Sequence, residues 1–266
     1  MITQWKVAEL GPDYIQAGWA QDSGPSVRIT TREAGVNRWS QAVDLSRFDA
    51  AFATALAADY DPAMVGLAVS IPASISRSLL AHIIQLSFET FAVANFLAVP
   101  EAVSILSNSA VPTGVSVRID NTLSSVTAVL PGNPGLPLGK ASTIYTELIE
   151  FGQSPSGQPP SGLLNDVADV VKKMILIHGG NFMQQLYSNI VLSGSRAGAL
   201  GTSTLETAIQ AAAREGAKTT VRMANSPEAV AWLGAVKLLS NLDGKRSIIT
   251  SAEYDEGGAA IVSGYI

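Results

Sequence analysis

Ser247-Ile-Ile-Thr-Ser-Ala-Glu-Tyr-Asp-Glu-Gly-Gly-Ala-Ala-Ile-Val-Ser263, Phe88-Glu-Thr-Phe91 and Asn189-Ile-Val-Leu-Ser-Gly194 are the three blocks that organise this 266-residue chain. Around the third block, Asn189–Ser193 reads as a short apolar strand. It is set among helical patterns near 163–178, 180–187, 203–214 and 227–240, with a second strand at Thr219–Met223. Phe88 closes a helical pattern over 74–89 whose apolar side is Leu79, Leu80, Ile83, Ile84 and Leu86. Upstream, Met64-Val-Gly-Leu-Ala-Val-Ser70 runs into Ile71-Pro72 as a buried strand does, and 45–60 carries Phe48, Phe52, Ala55 and Leu56 at helical spacing. Residues 4–30 read as short strands broken by the Gly11-Pro12-Asp13 turn; further strands are expected near 92–98, 114–120 and 125–130, with a helix opened by Pro100. Strands alternating with helices predict an α/β architecture with mixed sheets, and no short internal repeat is evident.

Composition narrows the function classes. Hydrophobic residues make up 47% of the chain and charged residues 15%, a low value against about 25% for a typical soluble domain. A surface so poor in charge fits one partly covered by protein partners, or one made largely of small Ala and Gly residues. The net charge of −5 argues against a polyanion groove, because phosphate neutralisation needs clustered Lys and Arg; no direct nucleic-acid contact is expected. Cysteine is absent, which excludes disulfides, thiolate zinc sites and cysteine nucleophiles. No apolar run approaches the ~18 residues of a membrane span, so no membrane insertion is expected. Met1-Ile-Thr-Gln-Trp-Lys6 has no signal-peptide pattern, which makes an intracellular soluble protein the expectation.

In this order, the three blocks resemble actin and the actin-related proteins. The resemblance covers about residues 5–30, 62–130 and 187–263. It implies an actin-like, ribonuclease H-like fold of two α/β domains around a nucleotide cleft, each supplying a phosphate-binding hairpin. The first hairpin of the family reads approximately Asp-x-Gly-Ser-x-x-x-Lys-Ala-Gly; here it is Glu9-Leu-Gly-Pro-Asp-Tyr-Ile-Gln-Ala-Gly-Trp19. Gly11 and Ala17-Gly18 survive, the acid is Glu9, Pro12 stands at the Ser position and Gln16 at the Lys position. Pro12 has no N–H to offer a phosphate, and Asp13 adds a negative charge. The second hairpin, Asp-x-Gly-Asp-Gly in the family, is Asp120-Asn-Thr-Leu-Ser124. Asp120 keeps the first acid, while Leu123, Thr122 and Ser124 replace the second acid and both glycines. Those glycines let the backbone approach phosphates closely. Ser193 and Gly194 match the adenosine-side motif, with Ser195 where a second glycine is usual. Gly11, Asp120, Ser193 and Gly194 are therefore the remaining nucleotide-contacting candidates in a degenerate site with no expected cofactor or metal. Glu101 falls where the family orients the attacking water, but reads more simply as an exposed first-turn acid favoured by the helix dipole.

Two departures are deletions. Between Arg32 and Phe48 there is room only for a short link where the family carries its small pointed-end subdomain. Between Gly132 and Asn181 the larger pointed-end subdomain is reduced to a Pro/Gly/Ser-rich linker over 131–162, within which Thr143–Phe151 reads as a short helix or strand, and a helix or two. The expected division is a first actin-like domain over 1–130, the linker 131–162, and a second domain over 163–266 that returns to the first. Without a bridging nucleotide, Val99–Val103 and Val230–Val236 are expected to pack as one apolar core, and Leu123 and Tyr14 to occupy space left by phosphates.

Other chemistry is less well supported. His82 and His178 lack carboxylates at metal spacing and read as surface or capping residues. Ser193 is not in a G-x-S-x-G elbow. Gly194, Gly198 and Gly201 fail the dinucleotide spacing. Trp232, Leu233, Val236 and Leu239 form an apolar helix stripe expected in the core. The expectation is a non-catalytic actin-related scaffold subunit whose partners are proteins of a larger complex, actin or actin-related subunits among them. The alternatives are a pointed-end filament cap similar to that of dynactin, a chromatin-remodeller subunit, and a residual ATP-binding minimal actin. The expected setting is the cytoplasm and its cytoskeleton, with the nucleus as the alternative.

Overall fold

A computed structural model of the chain describes residues 4–41, 43–56, 64–121, 123–132, 142–151, 162–213, 216–241 and 248–261. In chain order the strands of its first half are β1 (Gln4–Leu10), β2 (Tyr14–Trp19), β3 (Val27–Thr30), β4 (Val65–Ile71) and β5 (Asn95–Pro100). They are followed by β6 (Gly114–Ile119), β7 (Leu123–Pro131), β8 (Ser142–Glu150), β9 (Ile190–Ser193), β10 (Val221–Met223) and β11 (Ile249–Thr250). The helices are α1 (Leu45–Leu56), α2 (Arg77–Gln85), α3 (Glu101–Asn108), α4 (Leu163–His178) and α5 (Met183–Ser188). The last four are α6 (Ala197–Leu200), α7 (Thr202–Ala212), α8 (Val230–Ser240) and α9 (Ser251–Gly257).

The strands form two mixed sheets, ordered β11-β5-β4-β1-β2-β3 and β10-β9-β6-β7-β8. Each contains an antiparallel meander whose first strand is joined by parallel pairing to later strands: β1 to β4 and β4 to β5 in one, β6 to β9 and β9 to β10 in the other. The same strand plan thus occurs twice, a repeat that the sequence does not reveal. β4 is buried at every position, as expected of a parallel strand covered on both faces. On α1, buried Phe48, Ala51, Phe52, Ala55 and Leu56 recur at three- and four-residue steps and mark the face that meets the core.

By its internal contacts the chain divides into one unit of residues up to Ser104 and from Ala231 onward, and another of Ile105–Gly132 and Ser142–Val230. This differs from a division at residue 130. β6 pairs in parallel with β9, Val115 opposite Ile190, so β6 and β7 belong to the second sheet. Within the expected linker, Ser142–Glu150 is a full strand paired with β7; residues 133–141 and 152–161 lie outside the described residues. The described residues between β3 and α1 form turns, bends and irregular backbone. The helix expected from 74 starts at Arg77, because Ser76 is its N-cap and accepts the Leu79 N–H. It continues as a π-helical turn, Leu86–Thr90.

Two of the blocks that carry the resemblance meet in the first unit. Tyr254 donates to Glu89 Oε1 at 2.7 Å, and its ring stacks on Phe88 with centroids 4.6 Å apart. Thr250 and Glu253 close a capping box at the start of α9. Their residue types are therefore accounted for by packing and capping. In the same unit Val99, Trp232 and Ala235 share an apolar cluster with Val7, Ala68 and Leu97, the packing expected of these segments. α8 approaches the Ser104 carbonyl so closely that a Cβ on Gly234 would overlap it. Among the described residues no helix is long and apolar enough to cross a membrane.

Gly234→Ala should cost about 1–3 kcal/mol or more by overpacking. Gly198→Ala, whose added Cβ meets nothing within 4 Å, should stay within about 0.5 kcal/mol of wild type in urea denaturation. The Tyr254 hydroxyl is pushed up to about 12, first by burial and then by its hydrogen bond to Glu89 and the charges of Glu89 and Asp255. A folded-state value above the unfolded one gives stability that is complete below pH 10 and lost as pH rises from 10 through about 12. Tyr254→Phe should remove that alkaline loss, at a cost of about 1 kcal/mol near neutrality. Melting curves collected from pH 7 to 12 check both effects.

Candidate functional site

In the first unit, the β1–β2 hairpin carries the positions that correspond to the family's first phosphate loop. Glu9 and Gln16 stand opposite each other in the antiparallel register. Gln16 Nε2 donates to Glu9 Oε2 at 2.7 Å, and the same oxygen accepts the Trp232 backbone N–H at 2.9 Å. Glu9 is fully buried. Its carboxylate lies at the first turn of α8, where a negative group satisfies amides that have no partner in the helix and complements the helix dipole. The Trp232 indole N–H donates to Val7 O at 3.0 Å and fixes the same helix against β1.

The turn itself is bonded within the unit. Gly11 N–H donates to Tyr14 O at 2.9 Å, and Gly11 O accepts the Trp39 indole N–H at 2.9 Å. Asp13 O accepts the Thr31 N–H, and the Thr31 hydroxyl reaches Pro12 O and Asp13 O. The Tyr14 ring is half-buried and engaged by Arg28, whose guanidinium carbon lies 3.3 Å from the ring centroid.

In the second unit, the parallel register of β6 and β9 sets Arg118 opposite Ser193 and gathers Asp120, Ser193 and Gly194. Asp120 is 1% exposed and paired with Arg118 Nε at 2.6 Å. Its other oxygen accepts the Ser195 N–H at 2.9 Å. Arg196 Nε donates to Asn121 Oδ1 at 2.8 Å, and the Arg196 N–H to Ile119 O at 2.9 Å. Gly194 has φ +100°, and a Cβ there would overlap the Ile119 carbonyl, so only glycine lets the two strand ends meet. Gly194 N–H donates to Pro227 O at 2.9 Å. Ser193 is fully buried on β9. Leu123 is half-buried, and Thr122 lies outside the described residues.

Of the four candidates, Asp120, Ser193 and Gly194 come together, while Gly11 belongs to the other unit. Sequence reasoning missed Arg118, although it stands two residues before Asp120 on an apolar strand and must share its face. It also missed Trp232 as the partner of Glu9; a spacing of 223 residues leaves no local trace. Glu101 corrects an expectation: it is not an exposed first-turn acid but is 7% exposed. His82 Nε2 lies 2.7 Å from Asp49 Oδ1, and His178 stacks on Tyr145 with centroids 3.7 Å apart, so both rings serve local contacts. Among the described residues no three His, Asp or Glu side chains converge as metal ligands would. Trp232 lies in the core, as its helix stripe predicts.

Residues 153–266 match the family model described as Actin. No curated protein matches the chain. This carboxy-terminal part is actin-family sequence, and with two mixed sheets in two α/β units the architecture is actin-like. Ser193 and Gly194 lie inside the matched residues, Gly11 and Asp120 outside them.

Asp120→Asn should destabilise the chain by about 3–5 kcal/mol, because it leaves the Arg118 charge buried without its counter-ion. Arg118→Met combined with Asp120→Asn should recover more than half of that loss in urea titrations.

Proposed function

We propose that this chain is a non-catalytic actin-related scaffold subunit, in which the groups that serve a nucleotide in the family serve the fold. The observation that carries the reading is the internal bonding of both hairpin acids. Glu9 accepts from Gln16 and the Trp232 amide, and Asp120 is paired with Arg118 and the Ser195 amide. A magnesium–nucleotide complex would have to displace these donors, and a buried ion pair that loses one partner costs about 3–5 kcal/mol. Gln16 in place of a lysine and Pro12 in place of a hydrogen-bonding residue take away phosphate contacts as well. Such a subunit acts by presenting surfaces, and its partners are proteins of a larger assembly, actin-related subunits among them. The cytoplasm is the compartment that this reading favours.

The test is a thermal melt with and without Mg-ATP. A ligand at about 100 times its dissociation constant adds ~2.7 kcal/mol, which for a chain of this size is a shift of several degrees. The expected result at millimolar Mg-ATP is a shift of less than about one degree. A shift of several degrees accompanied by phosphate release would overturn the reading.

A further inference from the structure

β8 stands last in the second sheet, and among the described residues its outer edge pairs with no strand. Its burial agrees. None of its nine residues is buried, whereas β7, with a strand on each side, is buried along most of its length. The other edge strands of the two sheets are the four-residue β3, the three-residue β10 and the two-residue β11. Such short edges offer little to an incoming chain, and edges that must stay single are further blunted by lysine, proline or a bulge. β8 has none of these devices. It contains no lysine, proline or glycine, and its register with β7 runs unbroken from Leu123↔Glu150 to Pro131↔Ser142. Its Thr, Ile and Tyr residues suit a paired strand.

One face of β8 is already in use. Tyr145 and Ile149 pack against the core of the second unit, and the Tyr145 ring stacks on His178 of α4. Glu147 Oε1 on the same face accepts from Lys173 Nζ at 2.7 Å. Ser142, Ile144, Thr146, Leu148 and Glu150 alternate onto the other face. There Thr146 Oγ1 lies 3.0 Å from Thr127 Oγ1, Ile144 is half-buried and Leu148 is 41% exposed. Two aliphatic side chains short of cover thus stand beside an edge whose alternate N–H and C=O groups point away from β7.

We propose that β8 is the interface of a homodimer, pairing antiparallel with β8 of a second copy about a two-fold axis through Thr146. The strand is complementary to itself in that register. Ile144 stands opposite Leu148 of the partner subunit, and Thr143 opposite Ile149 of the partner subunit. Tyr145 faces Glu147 of the partner subunit, and Ser142 faces Glu150 of the partner subunit. The two aliphatic side chains of the open face therefore meet each other, and each acid meets a hydroxyl-bearing residue instead of an acid. Moving one strand by two residues to centre the pair on Glu147 sets Glu147 against its own copy, and like charges directly opposite are destabilising. Centring on Tyr145 leaves Ile149 and Glu150 with no partner on β8. The two-fold makes each contact occur twice, as in any isologous interface. The inference concerns an edge of the second unit and does not rest on the nucleotide reading.

The test is sedimentation equilibrium of the purified full chain over about a hundredfold range of concentration, since a reversible dimer dissociates on dilution. A monomer–dimer equilibrium is expected. Leu148→Lys should weaken it about tenfold, because the two-fold repeats the lost cross-strand pair. Ile144→Glu should weaken it similarly. The double variant Ile144→Glu with Leu148→Lys should recover most of the loss, since the two new charges then stand opposite each other across the interface. Ile177→Lys, at a 62% exposed apolar position on α4, should leave the dimer unaltered. Melting curves identify any variant that does not fold, and Leu148 is exposed enough for Leu148→Lys to carry the test alone. A chain that is monomeric throughout, a dimer unaffected by Leu148→Lys, equal loss in Ile177→Lys, or larger assemblies in place of a dimer would overturn the interface. Loss in both single variants without recovery in the double would overturn the pairing about Thr146.

Discussion

The carboxylate of Glu9 joins β1, β2 and the first turn of α8, and the first unit is organised around it. Glu9 lies on β1, which pairs in parallel with β4 on one side and antiparallel with β2 on the other. A buried carboxylate is costly unless donors surround it, and here the Gln16 amide and the Trp232 N–H supply them. With the Trp232 indole held to Val7 O, the returning carboxy-terminal segment is fixed to the strand that begins the fold. Ser104 then lies against Gly234, and the Val99–Trp232–Ala235 cluster closes around the same strand.

The second unit solves a similar problem with different chemistry. Its hairpin acid, Asp120, is balanced by a full charge, Arg118, and by one backbone amide. Such a pair is a poor source of net stability compared with apolar packing, yet breaking it is expensive. The arrangement therefore fixes the geometry of the β6 and β9 ends more than it strengthens the fold. Gly194 has the complementary part, since its missing side chain lets the Ile119 carbonyl approach.

Much of the architecture is legible in the sequence because it is written locally. The apolar run of β4, the face of α1 and the Asn189–Ser193 strand carry their own periodicity, and the elements appear within a few residues of their expected bounds. Three things were not legible. The domain boundary was displaced because β6 and β7 are local in sequence to the first unit, while β6 pairs with β9, more than seventy residues on, and β7 pairs with β6 and β8. The strand plan that occurs twice has no sequence repeat, because apolar residues of many kinds fill the same topology. At the candidate site the altered residue types were visible but their partners were not: Glu9 to Trp232 is a long-range bond, and Glu101 is buried by tertiary packing that no single-residue rule anticipates.

The central claim is that the acids of the two hairpins are occupied by the protein itself. The most direct measurement is the nucleotide content of the full chain purified under native conditions in magnesium buffer, with nucleotide released by acid and quantified by ion-exchange chromatography. The account predicts a content far below one nucleotide per chain. A stoichiometric adenine nucleotide, retained through purification, would contradict it.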